Sequence, residues 1–192
     1  MSRPSRLPEL KFSSLPFERA YRFDTDWFGK SARKPVSALL ATDEHHLWFG
    51  GEAEGEFDFD ADLSANDFIK GLWEKDLVEL FLYNEGNGRY LELNLSPAGA
   101  WWGAVFSAPR MQVAEWRPTA ARAYSIRGPK KWRSALCLPW DEIRKELGGG
   151  VTHANLTAIT GTPEQQFFTL SDLGQGEPDF HLPLYFQPIT FA

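Results

Sequence analysis

The sequence predicts an all-β protein: an antiparallel, jelly-roll-like β-sandwich of about ten strands with one short helix near 140–147. Three observations carry this. Apolar residues recur mainly with period two, the spacing that puts alternate side chains on one sheet face. The runs are short and follow one another closely, with turn residues between them, as in sandwiches and barrels. One segment alone has a helical pattern with a start and a stop. The chain has 192 residues. A single domain over 1–192 is expected, large enough to bury a core without disulfides or metals.

The runs 36–42 and 47–54 flank Asp43-Glu44 and read as a strand pair. From Glu52 to Leu63, acids alternate with Ala, Gly, Phe and Leu, which predicts a half-buried strand or extended arm with an acidic outer face. Segments 77–83 and 90–96 flank Asn84-Glu-Gly-Asn-Gly88, the strongest hairpin signal in the chain. Further strands are expected at 100–107, 121–127, 132–138, 151–160, 166–170 and 184–191. The helix follows Pro139, carries Asp141 and Glu142 early and bases later, and stops at Gly148-Gly-Gly150.

Composition narrows the function. The net charge of −6 argues against a nucleic-acid backbone as partner. The lone cysteine, Cys137, excludes an intramolecular disulfide and any multi-cysteine metal site. It lies in an apolar run and reads as a buried, inert thiol. No run approaches the roughly 18 apolar residues of a membrane-spanning helix. No apolar stretch follows the basic N-terminus, so a cytoplasmic location without a membrane partner is expected. Charge is uneven: residues 43–69 carry nine acids and no Lys or Arg, and no Lys or Arg follows Lys145. That predicts a dipolar surface, or strands whose outer faces differ in sign. Met111 and four scattered histidines have no ligand spacing, so no haem and no catalytic metal are expected. The acidic stretch leaves a structural calcium ion open. His45 and His46 read as a solvated pair, and His181 as a structural residue fixing a closing loop.

The hairpin allows register to be argued. Val78, Leu80 and Leu82 lie on one face of its first strand, and Leu91, Leu93 and Leu95 on one face of its second. These faces must share the core, because a one-residue slip would bury Glu92 and Asn94 there instead. That register pairs Tyr83 with Tyr90, Phe81 with Glu92, and Glu79 with Asn94. The other face then gathers two carboxylates, an amide and three aromatic rings. It is either a solvated outer face or a site. Fixed acceptors and donors beside flat apolar rings are what a saccharide needs. Eight tryptophans and 15% aromatic residues add to this. Trp132 and Trp140 sit in apolar runs and read as core, whereas Trp73 has charged neighbours and reads as exposed. Trp101 and Trp102 must point to opposite faces, so one can be core. The candidate ligand-binding set is Trp73, Glu79, Tyr83, Tyr90, Glu92 and Asn94, with Trp101 and Trp102 nearby. A competing reading makes Glu79 and Glu92 the acid and base of a glycoside hydrolase.

Trp73-Glu-Lys-Asp-Leu-Val-Glu-Leu-Phe-Leu82, with Tyr90-Leu-Glu-Leu-Asn94 and Gly99, resembles the central block of family 9 carbohydrate-binding modules and their DOMON-like relatives. Trp132-Arg-Ser-Ala-Leu-Cys-Leu-Pro-Trp140 resembles their strand–Pro-Trp–helix element. His153-Ala-Asn155 and Pro178-Asp-Phe-His-Leu-Pro-Leu-Tyr-Phe186 resemble their closing segment. The likeness runs over residues 36–191. It implies a β-sandwich without catalytic activity that binds a small saccharide, in a bacterial setting. It also implies that a sugar end unit lies against Trp73, hydrogen-bonded by Glu79 and Asn94. Two positions depart from the family: Glu92 stands where it has a basic residue, and Leu170 where related chains carry a second clamping Trp. Some DOMON relatives hold haem through Met and His, which here would require Met111 with His45, His46, His153 or His181.

Overall fold

The computed structural model describes residues 19–161, 164–174 and 176–189. Twelve strands and one α-helix form among them. The strands are β1 (Arg19–Thr25), β2 (Ser31–Thr42), β3 (His46–Glu54), β4 (Leu77–Asn84), β5 (Arg89–Leu95) and β6 (Trp101–Ala108). They continue with β7 (Met111–Glu115), β8 (Arg122–Gly128), β9 (Lys131–Pro139), β10 (His153–Thr160), β11 (Gln166–Thr169) and β12 (Gln187–Pro188). The helix α1 is Trp140–Leu147, closed by Gly148 in the left-handed conformation.

Two antiparallel sheets result. The first has the order β1-β2-β3-β9-β8, and the second β11-β10-β4-β5-β6-β7 with β12 pairing β10. Their facing sides interdigitate into one core. The first sheet contributes Val36, Phe49, Trp132 and Leu136, and the second Val78, Leu80, Leu91, Leu93 and Trp101. The hairpin has the expected register: Glu79 opposes Asn94, Phe81 opposes Glu92, and Tyr83 opposes Tyr90. Gly51 is where β3 passes beneath this core. A Cβ there would meet Val78 at 2.7 Å and Trp132 at 2.9 Å.

The outer face of the second sheet is not solvated. Leu77, Phe81, Tyr83, Tyr90, Trp102 and Phe106 form a second apolar cluster, covered by Leu72, Leu173, Phe180 and Phe186. These covering residues come from loop segments 66–74, 171–174 and 176–186. The molecule therefore has three layers: two sheets and a loop cover.

Several expectations need correcting. The all-β sandwich with one short helix is as expected, but two of the twelve strands among the described residues, β1 and β7, were not anticipated. Every residue of β7 is exposed, so that edge strand shows no burial alternation to read. No strand continues from Glu54 through Leu63. Gly55 turns the chain at φ +104°. Beyond it, Asp58 is tied to Asp76 by an N–H donated to the Asp76 carboxylate and by the return N–H from Asp76. The Asp60 carboxylate accepts the N–H of Asp62, closing a turn. At the C-terminal end, Pro183–Tyr185 form a 3-10 turn and only Gln187–Pro188 pair as a strand. Residues 190–191 of the expected strand lie outside the described residues. Trp132, Trp140 and Cys137 are buried as expected, and burial pushes the Cys137 thiol up to about 12.

Candidate ligand-binding cleft

The pairing lines side chains up in rows across the outer face of the second sheet. One row runs Thr157, Glu79, Asn94, Trp102. The next runs Asn155, Phe81, Glu92, Ala104, and the one after it His153, Tyr83, Tyr90, Phe106. The loop cover leaves a cleft of about 410 Å³ over the first two rows, within the roughly 300–1,000 Å³ usual for small-molecule sites. Its floor holds Glu79, Glu92, Phe81 and Trp102. Its walls include Trp73, Lys70, Gln112, Arg110, Phe180 and His181.

Each wall residue is held for a reason. Gly71, at φ +95°, starts the short 3-10 turn Leu72–Glu74. Leu72 anchors that turn in the outer cluster, so the next side chain, Trp73, swings out and is 38% exposed. Its ring stands edge-on to Trp102, centroids 6.0 Å apart, and Trp102 Nε1–H donates to Glu115 at 3.0 Å. Lys70 Nζ lies 5.4 Å from the Trp102 ring centre. At the β6–β7 tip, Arg110 pairs with Asp179 at 2.9 Å and so bridges the hairpin to the closing segment.

The electrostatics are unusual for a surface cleft. Glu79 is 3% exposed and Glu92 5%. Glu79 Oε2 accepts the Thr157 hydroxyl at 2.6 Å. Glu92 Oε1 accepts the Asn94 amide at 3.0 Å. Burial, and next the negative charge of Glu92, raise Glu79 well above the usual carboxylate range. Burial raises Glu92 too, against the pull of the Asn94 hydrogen bond and of Lys70 and Arg110. His181 moves the other way: burial first, then nearby Arg110, lower it to about 4. The Tyr90 hydroxyl accepts the Arg110 N–H at 3.1 Å and is hydrogen-bonded to His181 Nδ1 at 2.8 Å. The other ring nitrogen, Nε2, lies 3.6 Å from Glu92.

Of the candidate set, the structure brings Trp73, Glu79, Glu92 and Trp102 to the cleft. Asn94 lies on the same face but is 0% exposed and donates its amide to Glu92. Tyr90 stacks on Phe106 at 4.7 Å, and Tyr83 packs against Phe186; both lie beside the lining rather than in it. Trp101 points the opposite way, into the core between the sheets, edge-on to Phe68. Phe106 and Ile159 share the floor's face and were missed, although strand alternation carries the signal that could have found them. Lys70, Gln112, Arg110 and Phe180 arrive from loops and an edge strand, where no periodic signal marks them. His181 is structural, as expected, and also forms cleft wall. Met111 is exposed on β7. Among the described residues, no three or more His, Cys, Asp or Glu converge as a metal site would require, and no helix is long and apolar enough to cross a membrane.

The fold is a β-sandwich like that of the family 9 carbohydrate-binding modules. A candidate carbohydrate-binding protein of Bacteroides uniformis superposes with a TM-score of 0.68 at 18% identity, covering 88% of this chain and 84% of that one. A family 9 module of Caldicellulosiruptor kristjanssonii in complex with cellotriose gives 0.52 at 8% identity, covering 90% and 82%. The same organism's module in complex with glucose gives 0.50 at 10%, covering 74% and 69%. In sequence the chain is similar to the human UPF0462 protein C4orf33, 31% identical over 127 residues, and to its rat homolog, 30% over 128. Each alignment covers 62% of this chain and 61% of the relative, so it spans about three-fifths of the relatives' length. Their names assign no activity, and these relatives are vertebrate, which lends the expected bacterial setting no support. No family model matches the sequence.

Proposed function

We propose that this chain is a non-catalytic module that binds one unit of a small saccharide in the cleft, without a cofactor. The observation that carries this is the exposed Trp73 ring set edge-on to Trp102 in the same cleft as the Glu79 carboxylate. A pyranose offers an apolar C–H face to the rings and hydroxyl donors to Glu79, whose Oε1 has no hydrogen-bond partner among the described residues. The saccharide ligands of the structural neighbours support the reading. Asn94 acts here by orienting Glu92 rather than by touching the sugar.

Calorimetric titration of mono- and disaccharides into the wild type, Trp73→Ala and Glu79→Ala tests it. A hydrogen bond to an uncharged group is worth about 0.5–1.5 kcal/mol, so Glu79→Ala should weaken binding about two- to tenfold. A saccharide that binds both variants as tightly as the wild type would sink the site.

A second reading, a glycoside hydrolase, is favoured by the raised protonation range of Glu79 and Glu92, which suits a general acid. Against it, both carboxyls rise from neighbouring strands of one sheet face, so both lie on the same side of a ligand resting there, whereas hydrolysis needs them to flank the bond. No sugar release from aryl glycosides is expected on prolonged incubation.

A further inference from the structure

We infer that the group this cleft recognises is an amine: the ligand is a saccharide of the hexosamine type, whose protonated amino group sits between Glu79, Glu92 and the surrounding aromatic rings. This rests on the reading of the cleft as a saccharide site.

The argument starts from charge. Two carboxyls, each at least nine-tenths buried, line one cleft. Among the described residues Glu79 has a single hydrogen bond, from Thr157 to Oε2, and Oε1 has no partner. Glu92 has the Asn94 amide on Oε1 and the His181 ring 3.6 Å from Oε2. The cations around the pair are engaged elsewhere. Lys70 lies over the Trp102 ring and reaches Gln112. Arg110 is bound to Asp179. His181 is neutral, with the Tyr90 hydroxyl on its other nitrogen. None of the three is hydrogen-bonded to either carboxylate. Buried carboxylates without a counter-cation are costly, and they meet the cost by keeping their protons.

The chemistry of the walls points the same way. Trp73, Trp102, Phe81, Phe106 and Phe180 surround the pair. Aromatic faces carry negative potential and attract ammonium groups, most strongly where water is excluded. A neutral hydroxyl offers one donor and leaves the charge uncancelled. An ammonium offers three donors and one positive charge, which balances one ionised carboxylate of the pair. Its binding should also drive a proton off the carboxyl pair, because the cation favours the ionised form of one of them. Lys70 and Arg110 at the rim temper the attraction without reaching the floor.

The test compares D-glucosamine, D-galactosamine and D-mannosamine, each beside its parent hexose and its N-acetyl derivative, by calorimetry near pH 6.5 in two buffers of different ionisation heat. At least one free amine is expected to bind about tenfold or more tightly than both its parent and its N-acetyl form, with proton release. Glu79→Gln and Glu92→Gln should abolish that preference and the proton release. Their melting temperatures, equal to or above that of the wild type, would show that the fold is kept. A parent hexose that binds as well as its amine overturns this inference and leaves the saccharide reading standing. Tetramethylammonium binding with no sugar bound overturns the saccharide reading and retains the cation site. Binding by none of these probes overturns both.

Discussion

Trp73 and Trp102 touch each other across the cleft, yet their surroundings differ. Trp73 owes its exposure to Leu72, which holds the turn down. Trp102 is 2% exposed and belongs to the outer cluster. Trp73→Ala should therefore change unfolding free energy by no more than about 1 kcal/mol, while Trp102→Ala should cost about 3–5 kcal/mol through the cavity it leaves. Urea denaturation of the two variants checks this. The buried acids predict a pH dependence. Unfolded, Glu79 and Glu92 lose their protons near 4.5; folded, they hold them to higher pH. Stability from this source falls as pH rises from about 4.5 through neutrality. His181 is lowered from 6.5 to about 4, so its contribution is lost as pH falls through that window. The two effects oppose each other below about pH 6.5, and only the carboxyls act above it. The melting temperature should therefore drop between about pH 6.5 and pH 8, and Glu79→Gln should flatten the drop.

At the scale of elements, the β4–β5 hairpin is the organising unit. Its inner face supplies core leucines and its outer face the floor of the cleft, so one register error would lose both. β3 must approach this hairpin closely, and Gly51 permits it. Gly51→Ala pushes a methyl into Val78 and Trp132 and should destabilise the fold by about 1–3 kcal/mol, as overpacking does. A thermal melt showing no loss would mean that β3 can shift outward at little cost. The hairpin was legible in the sequence because strict alternation met a Gly-Asn-Gly turn. The acidic segment after β3 was misread because its alternation is real but serves a loop: Phe57 and Phe59 stack at 5.3 Å without a partner strand.

For the molecule as a whole, we propose that the described residues form one cooperative unit. The main core draws side chains from both sheets and from α1, and the loop cover closes the second sheet's outer face. Urea unfolding followed by Trp fluorescence and by far-ultraviolet circular dichroism should give coincident transitions; separated midpoints would divide the chain into two units. Saturation with a ligand at about 100 times its Kd should raise stability by about 2.7 kcal/mol.

The residues by themselves determined the class of fold, the hairpin register and the face on which the carboxylates gather, because a period of two and a turn motif are local properties. They also placed Trp132, Trp140 and Cys137 in the interior and Trp73 outside it. Only the tertiary structure decided that this face is covered, and hence that Glu79 and Glu92 are buried, which raises both above the usual carboxylate range. It alone sent Trp101 inward and Trp102 to the cleft, occupied Asn94 with Glu92, and brought Lys70, Arg110, Gln112 and His181 to the walls. The physical reason is distance along the chain: burial and charge coupling arise where segments 66–74, 171–174 and 176–186 meet strands such as β5 and β6 that lie far from them in sequence, and no local pattern encodes that meeting.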